Sequence, residues 1–356
     1  MKILHVITSL RTGGAEKLMV DLIPRLKEKG LDVDLLIFDG TDTPFRQEAE
    51  KRGIKILDFG KGNSVYNPKY ILKLVPLLKN YDIIHTHNTS PQFFAIIANL
   101  FTRKNLITTE HNTTNRRRDK KIFKYLDKWM YSRYKKVICI SEKAKENLYF
   151  YLKNYSNKFL TIENGIELDN FINAYPSNDL EKIAPKNNKI IMVAGFREQK
   201  DQPTLIKALK ELPENFHLFL IGDGVRRDEF EALAKSLGLL NRVHFLGIRE
   251  DIPNLLKSAD FVVMSSHFEG LSLSSVEGMA SGKPFLASDV QGLSEVVKDA
   301  GILFPHQDYK TLAQEILKLD SDPIYYNEVV ERCLKRASEF DISKMVDKYN
   351  QVYNSI

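Results

Sequence analysis

Short apolar runs alternate with longer amphipathic segments along this chain, and the alternation begins a second time past its midpoint. The first apolar run covers residues 2–8, and residues 190–194 open the second series. Both runs lack regular polar alternation, so they predict strands buried on both faces, as in a parallel sheet. A strand–helix rhythm of this kind, occurring twice, predicts two doubly wound α/β domains.

The length of 356 residues supports this division, because one hydrophobic core rarely serves more than about 250–300 residues. The content of 43% hydrophobic and 28% charged residues is that of an ordinary globular protein. No run approaches ~18 apolar residues and the chain starts directly with a strand, so we expect no transmembrane helix and no signal peptide. Cys139 and Cys333 lack metal-ligand spacing, and we expect reduced, buried thiols in a cytoplasmic protein.

Charge is distributed unevenly between the two halves. Residues 1–175 carry a net charge of about +11, whereas residues 176–356 carry about −5. The basic first half predicts an anionic partner for that half and not for the whole protein. Residues 174–188 are polar and contain two prolines. They predict a linker, with a first domain at residues 1–175 and a second domain beginning at residue 176.

Residues 265–295 contain the densest set of candidate functional residues. They follow a short apolar run at residues 260–264 that predicts a buried strand. Ser272, Ser274 and Ser275 are all suitable N-caps for the helix that comes next. A strand end, a tight turn and a helix N-terminus together predict an anion-binding site, because unpaired N–H groups and the helix dipole converge there.

Two carboxylates, Glu269 and Glu277, stand eight positions apart at this junction. A carboxylate beside a bound anion is repelled unless it has another partner, and sugar hydroxyls would supply hydrogens for it to accept. The alternative interpretation is structural. Ser274 and Glu277 also match a capping box, in which Glu277 would only close the start of the helix for ~1 kcal/mol.

The whole segment resembles the Glu-x7-Glu region of the family 4 retaining glycosyltransferases, which have the GT-B fold. The flanking residues that also match are Gly270, Ala280, Gly282, Pro284, Asp289, Gly292 and Glu295. The resemblance covers essentially the full chain. It implies two facing Rossmann-like domains with a cleft between them, residues 1–175 binding the acceptor and residues 176–340 binding the nucleotide-sugar. It also implies that residues 341–356 form a helix that crosses back to the first domain.

The resemblance implies roles for four residues of the second domain. Arg197 and Lys200 would neutralise the leaving diphosphate. Both residues follow a predicted strand, and this position also allows them to contact a diphosphate at two points. Glu269 would hold the sugar ring, and Glu277 would hold ribose hydroxyls. The commonest form of the family has arginine where this chain has Gly195, and Arg197 would take that role from two positions further on.

Other site residues follow from the same resemblance. His111 ends a predicted strand and corresponds to a histidine that touches the transferred sugar. The remaining donor contacts are Gly14, Ile248, Leu271, Ser272 and Leu273. Position 272 is often glycine in the family. Gly14 belongs to a turn between a strand and a helix, where glycine lets the backbone approach a ligand.

Residues 115–136 form the most basic stretch of the chain. Its apolar residues recur at helical spacing and are Phe123, Leu126, Trp129, Met130 and Tyr134. One interpretation is a core-facing helix with a solvated basic face. The other is contact with an anionic membrane surface or a lipid diphosphate acceptor, worth ~1 kcal/mol per basic residue near the surface. Nucleic acid fits less well, because no recognition module accompanies the charge.

Taken together, the residues and the resemblance predict a retaining glycosyltransferase that needs no metal or other cofactor. The donor would be a nucleotide-sugar, a UDP-sugar in preference to a GDP-sugar. The acceptor would be a glycan or a polyprenyl-linked or other lipid-linked sugar in surface polysaccharide or glycoconjugate synthesis, at the inner face of the membrane. Two alternatives are a sugar-nucleotide epimerase of the same fold and an NAD-dependent oxidoreductase. The missing Gly-x-Gly-x-x-Gly fingerprint disfavours the oxidoreductase.

Overall fold

The computed structural model contains two compact units. It describes residues 1–11, 13–62, 64–111, 121–153, 156–270 and 272–356. One unit consists of Met1–Asn164 together with Ile342–Ile356, and the other of Gly165–Asp341. Each unit contains one parallel sheet connected through helices. The α/β class predicted from the alternation of apolar runs is confirmed.

The first unit contains a seven-stranded parallel sheet. Its strands are β1 (Lys2–Ile7), β2 (Asp32–Ile37), β3 (Ile56–Asp58), β4 (Ile83–His87), β5 (Asn105–Glu110), β6 (Lys136–Cys139) and β7 (Phe159–Thr161). Their order in the sheet is β3-β2-β1-β4-β5-β6-β7. Strand order therefore reverses between β1 and β4, and in such sheets the crevice at the carboxyl ends of the two strands is the usual ligand site.

Seven helices lie in the described part of this unit. They are α1 (Gly14–Glu28), α2 (Pro44–Lys51), α3 (Lys69–Leu78), α4 (Thr89–Asn99), α5 (Lys121–Ser132), α6 (Glu142–Leu152) and, from the end of the chain, α16 (Ile342–Asn354). Two hydrophobic clusters lie on the two faces of the sheet, because successive strand residues point to opposite sides. Ile3 and Ile7 pack with α1 and α16, whereas Leu4 and Val6 pack with α3 and α4.

The second unit contains a six-stranded parallel sheet. Its strands are β8 (Asn188–Val193), β9 (Phe216–Ile221), β10 (Val243–Gly247), β11 (Phe261–Met264), β12 (Phe285–Ser288) and β13 (Ile302–Phe304). Their order is β10-β9-β8-β11-β12-β13, so the reversal lies between β8 and β11. Its helices are α7 (Leu168–Ile172), α8 (Asp179–Ile183), α9 (Gln202–Glu211), α10 (Arg227–Ser236), α11 (Ile252–Ser258), α12 (Leu273–Ala280), α13 (Ser294–Val297), α14 (Tyr309–Ser321) and α15 (Pro323–Ala337).

The boundary between the units differs from the predicted one. The second unit begins at Gly165, about ten residues before the predicted position, because Phe171 already packs in its core. Residues 174–188 are not an open linker either, since Leu180 is fully buried in the same core and α8 lies within them. Of the apolar residues of this polar stretch, Leu180 and Ala184 are the ones that pack in the core. Asn164 and Ile342 mark the two places where the chain passes between the units.

Gly278→Ala is expected to destabilise the second unit. A Cβ at this position of α12 would lie 2.5 Å from Cδ2 of Phe285, a ring that is fully buried and has no room to move. Overpacking of this kind costs ~1–3 kcal/mol, more than the ~1 kcal/mol that alanine gains over glycine in a helix. The free energy of unfolding measured in urea tests this.

Gly14→Ala is the matched control, since Gly14 is also a helical glycine. No heavy atom of the described residues lies within 4 Å of a Cβ built there, so the free energy of unfolding should stay the same or rise. Equal destabilisation by both substitutions would contradict the packing argument.

Candidate active site

In the second unit, the predicted site residues gather where the strand order reverses. The segment after β8 carries Arg197 and Lys200, and the segment after the neighbouring strand β11 carries Glu269. Because β8 and β11 are parallel and adjacent, both segments emerge at the same edge of the sheet. The chain thus brings together residues that are 69 positions apart in sequence.

Lys200 and Glu269 form an ion pair. The Lys200 Nζ lies 2.6 Å from Oε1 of Glu269, and the Ser266 hydroxyl donates a second hydrogen bond of 2.6 Å to the same oxygen. The side chain of Glu269 is 7% exposed and that of Lys200 is 21% exposed. A partly buried, charge-assisted pair of this length holds both groups in defined positions.

The loop that carries Glu269 is fixed by its backbone. The Glu269 N–H donates to the carbonyl of Gln291, 3.0 Å away. Gly292 has φ +85°, and a Cβ there would lie 2.2 Å from the carbonyl oxygen of Glu269. Only glycine fits this position. The Ser265 hydroxyl also donates to the carbonyl of Asp201, 2.7 Å away, and so ties the loop to the segment after β8.

Arg197 lies on the same turn as Lys200. Its carbonyl accepts a 3.0 Å hydrogen bond from the Lys200 N–H, closing the 3-10 turn Glu198–Lys200. Its side chain is exposed, and within the described part of the chain its guanidinium has no ion pair. At Gly195 the nearest neighbour of a built Cβ is the Asp223 carbonyl oxygen at 3.7 Å. The backbone would therefore accommodate a side chain there, so glycine is not required by packing.

The start of α12 excludes the capping-box interpretation of Glu277. Ser272 is the N-cap, and its side chain accepts a hydrogen bond from the Ser275 N–H. Ser274 lies inside the helix, so the capping box of Ser274 with Glu277 is wrong: Ser272 caps instead, and Glu277 falls in the second turn. Leu271 lies outside the described residues.

Two other predicted donor contacts occupy different environments. Ile248 directly follows β10 and is 80% exposed. The turn before it is held by Gly247, whose carbonyl accepts a 2.8 Å hydrogen bond from the Gly222 N–H. Leu273, the first residue of α12, is partly buried and packs against the core. Its side chain is structural, which leaves its backbone N–H as the group available to a ligand.

In the first unit, Gly14 and His111 lie at the carboxyl edge of the sheet. Gly14 is the first residue of α1, directly after the loop that follows β1. His111 comes directly after β5, the strand next to β4. Both therefore lie near the point where strand order reverses, at the edge where such sheets bind ligands.

His111 is the outer end of a chain of histidines that the sequence analysis missed. Its Nε2 lies 2.9 Å from Nδ1 of His87, and Nε2 of His87 lies 3.0 Å from Nδ1 of His5. The Tyr353 hydroxyl on α16 lies 3.0 Å from Nε2 of His5 and 2.7 Å from Nδ1 of His85. His5, His85 and His87 are fully buried.

All four histidines are neutral near pH 7. Burial lowers the pKa of His111 to about 4, against an opposing effect of the Glu110 charge, and lowers the pKa of His5 to about 3. Burial also places the pKa values of His85 and His87 well below their ordinary range, and neighbouring histidines add to the effect. The network is thus a set of neutral rings connected by hydrogen bonds.

Among the described residues, two groups of side chains have the spacing to hold a metal ion. They are His5, His85 and His87 in the first unit, and Asp201, His267 and His306 in the second. Asp201 already caps α9, since its Oδ1 and Oδ2 accept hydrogen bonds from the backbone N–H and the hydroxyl of Thr204.

Glu110, the last residue of β5, anchors α5. Its Oε1 accepts hydrogen bonds from Nε2 of Gln92, 2.8 Å away, and from the hydroxyl of Tyr131. Glu110 is 7% exposed and Tyr131 is 1% exposed. The carboxylate therefore holds the helix beside His111.

Where it is described, the basic stretch of residues 115–136 has buried apolar residues and exposed basic residues. Residues 115–120 lie outside the described residues. In α5 and after it, Met130 and Tyr134 are fully buried, whereas Lys124 and Arg133 are exposed. Among the described residues, no helix combines the length and the apolar character needed to cross a membrane.

The histidine chain did leave a signal in the sequence. His85 and His87 alternate on β4, and His5 lies in β1. The register pairs His5 with His85 once β1 and β4 are neighbours. A His-x-His at the end of one strand and a histidine in the first strand would have indicated that the three histidines lie on the same face of the sheet. The contribution of α16 could not be read from spacing.

Comparison with known proteins identifies the family. The model for glycosyl transferases group 1 matches residues 178–339, and the model for glycosyltransferase family 4 matches residues 12–170. The chain is a GT-B glycosyltransferase of the group 1 family. The two matches span both units, so the predicted family and fold are confirmed.

Relatives and solved structures match this glycosyltransferase over nearly its full length. An Escherichia coli UDP-Gal:α-D-GlcNAc-diphosphoundecaprenol α-1,3-galactosyltransferase is 25% identical over 99% of this chain and 96% of that enzyme. A Campylobacter jejuni 4-α-N-acetylgalactosaminyltransferase that acts on a diphospho-undecaprenol-linked sugar is 27% identical over 95% of each. The Anabaena protein HepE, solved in complex with UDP, superimposes with a TM-score of 0.88 and 23% identity over the full length of both chains.

Lowering the pH from 7 to 5.5 is expected to destabilise the first unit of this glycosyltransferase. In the folded protein the four histidines stay neutral, whereas in the unfolded chain they bind protons below about pH 6.5. The unfolded state then binds more protons between pH 6.5 and about 4, so stability falls as the pH falls through that window. Each histidine contributes up to ~1.2 kcal/mol over this step, measurable from urea unfolding at the two pH values.

His306→Gln is the control, because His306 is exposed and lies in the second unit. It should leave the pH dependence unchanged, whereas His85→Gln should reduce it. A urea midpoint that is the same at both pH values would contradict neutral burial of the histidines.

Proposed function

We propose that this glycosyltransferase transfers a hexosyl or N-acetylhexosaminyl group from a UDP-sugar to a glycan or lipid-linked acceptor, with retention of anomeric configuration. The observation that carries the proposal is the Lys200–Glu269 pair of 2.6 Å beside the N-terminus of α12. It puts a cation for the diphosphate and a carboxylate for sugar hydroxyls at one edge of one sheet.

Lys200 can bind a diphosphate while it keeps its ion pair with Glu269. An ammonium group has three hydrogens, and Glu269 takes one of them through Oε1. The others can be donated to phosphate oxygens, to which Arg197 on the same turn adds a second cation. The first-turn amides of Leu273 and Ser274 add further donors, since a helix does not use its first N–H groups internally.

Charge stabilisation is therefore the main contribution of this unit to the reaction. Negative charge accumulates on the leaving diphosphate as the glycosidic bond breaks. Preorganised cations and amides at that position stabilise the transition state more than the ground state. We propose that these groups act without a metal ion and that the departing phosphate takes the proton of the attacking hydroxyl, which gives retention by front-side attack.

Two kinds of similarity support the choice of substrates. HepE is solved with UDP and also with UDP-glucose, which favours uracil as the base. The Escherichia coli and Campylobacter jejuni relatives act on diphospho-undecaprenol-linked acceptors, which favours a lipid-linked acceptor in polysaccharide synthesis. The exposed Lys124 and Arg133 of the first unit would attract an anionic membrane surface or a lipid diphosphate.

A thermal-shift panel of UDP-, GDP- and ADP-sugars, run with a chelator, tests the donor. A ligand at ~100 times its dissociation constant stabilises the folded protein by ~2.7 kcal/mol. We expect the UDP-sugars to raise the melting temperature and the others to have little effect. Stabilisation by NAD alone would contradict the proposal, and conversion of the donor without acceptor into an epimer would favour an epimerase.

Lys200→Ala and Glu277→Ala are each expected to abolish most transfer and to weaken UDP binding. Each substitution removes a charge-assisted hydrogen bond, which corresponds to roughly a ten- to hundredfold loss. Transfer to a diphospho-polyprenol sugar measures the rate, and the NMR coupling of the product anomeric proton measures its configuration.

Lys207→Ala is the matched control, because Lys207 is an exposed lysine on α9, the helix that follows Lys200. It should transfer sugar at the wild-type rate. Unchanged turnover in both site variants would refute the assignment of the site, and an inverted product would refute retention.

A further inference from the structure

The histidine chain has only two possible arrangements of its hydrogens. His5, His85 and His87 each use both ring nitrogens in hydrogen bonds, and a neutral imidazole carries one N–H. Each ring must therefore donate from one nitrogen and accept at the other. The Tyr353 hydroxyl can accept twice, but its own hydrogen is paired only if it donates to one ring and accepts from the other. If one bond of the chain is reversed, all of them are reversed.

The buried end of the chain selects one of the two arrangements. Nε2 of His85 lies 2.8 Å from Oγ1 of Thr109, and the Tyr349 hydroxyl lies 3.4 Å from the same oxygen. Among the described residues, Tyr349 has no other hydrogen-bond partner for its hydroxyl, and its side chain is fully buried. If the chain ran from His111 inward, His85 would donate to Thr109, and the hydrogens of His85, Thr109 and Tyr349 would have only two contacts between them. One buried hydroxyl hydrogen would then face no acceptor among the described residues.

The opposite direction satisfies every hydrogen from Tyr349 to His87, and it leaves a hydrogen without a partner among the described residues only on His111, which is partly exposed. Tyr349 donates to Thr109, Thr109 donates to His85, and His85 donates to Tyr353. The donation then continues from Tyr353 through His5 and His87 to Nε2 of His111. A buried donor without an acceptor is more costly than a phenol oxygen that accepts nothing. Hydrogens therefore run outward from α16 to the carboxyl edge of the sheet.

This direction determines the state of His111. Because its Nε2 accepts from His87, its single hydrogen must lie on Nδ1. Among the described residues, Nδ1 of His111 has no hydrogen-bond partner. The ring therefore presents a neutral N–H to the edge where ligands bind, not a lone pair.

We propose that His87 is a positioning residue that holds His111 as its Nδ1–H tautomer, so that His111 donates a hydrogen bond to an oxygen of the transferred sugar. The identity of that ligand rests on the proposed function. The tautomer itself rests only on the hydrogen-bond chain. A neutral donor suits this place, because it can stabilise a sugar oxygen without adding a positive charge near a developing cation at the anomeric carbon.

A metal ion held by His5, His85 and His87 is the competing explanation of the same cluster. Their six ring nitrogens already have hydrogen-bond partners that need no ion. The three ligands are neutral, so a divalent cation would bring uncompensated charge into a fully buried place. The hydrogen-bond chain accounts for the geometry without that cost, and the experiment below separates the two.

Long-range ¹H–¹⁵N spectra of protein labelled at histidine test the tautomer directly. His111→Gln identifies the signals of His111. In the wild-type protein at pH 7 we expect a protonated Nδ1 and an unprotonated Nε2. A protonated Nε2 would overturn the proposal, and so would one equivalent of bound zinc in the purified protein with ring nitrogens shifted by the metal.

His87→Leu and His87→Asn form the matched pair. The side-chain amide of asparagine can donate to Nε2 of His111 from the place of the His87 Nδ1, whereas leucine cannot. In His87→Leu we expect His111 to change to the Nε2–H tautomer that histidine favours in water. We also expect kcat to fall about tenfold with little change in the KM of the donor. His87→Asn should restore the Nδ1–H tautomer and most of kcat.

Tyr349→Phe controls for a general effect of altering this face of the sheet. The Thr109 hydroxyl remains as the first donor of the chain, so the tautomer of His111 should be unchanged. A wild-type tautomer and rate in His87→Leu would overturn the inference. If the wild-type protein transfers no sugar, the proposed function fails, while the wild-type spectrum still decides the tautomer.

Discussion

The pairing of β8 with β11 is the contact on which the candidate site depends. The strand order reverses there, so the segments that follow the two strands run apart and leave the carboxyl edge between them open. Lys200 comes from one segment and Glu269 from the other. Their 2.6 Å contact is a direct consequence of that reversal. The pairing of β1 with β4 has the same effect in the first unit, where it places His5 beside His85.

The two units use their edges for different chemistry. The edge of the second unit is charged, with Lys200, Arg197 and Glu269 close to the N-terminus of α12. The first unit has a neutral chain in which burial keeps His111 and its neighbours uncharged near pH 7. A leaving diphosphate needs compensation of negative charge, whereas a sugar needs directed hydrogen bonds. In the proposed reaction, Lys200 and Arg197 would compensate the diphosphate, whereas Glu269 and the neutral His111 would form hydrogen bonds to the sugar.

The fold and part of the site could be predicted from sequence because they depend on local patterns. Buried apolar runs indicated the strands, and residues just after a strand, such as Lys200, Glu269 and His111, indicated the edge. The partners of His111 could not be predicted this way, since they depend on which strands are neighbours and on a helix from the far end of the chain. The cap of α12 was ambiguous for a different reason: three serines fit locally, and only packing selects Ser272. Residues 174–188 are polar on average, and for this reason the sequence did not reveal that Leu180 is fully buried.

The first unit is discontinuous in sequence, and this has a consequence for synthesis. Met1–Asn164 is synthesised first, but one face of its sheet stays open until Ile342–Ile356, which follows the whole of Gly165–Asp341, packs on it. Tyr349 and Tyr353 arrive with that last segment. The hydrogen-bond partners of His111 are therefore complete only after Gly165–Asp341 has been synthesised and the helix that follows it has packed on the first sheet.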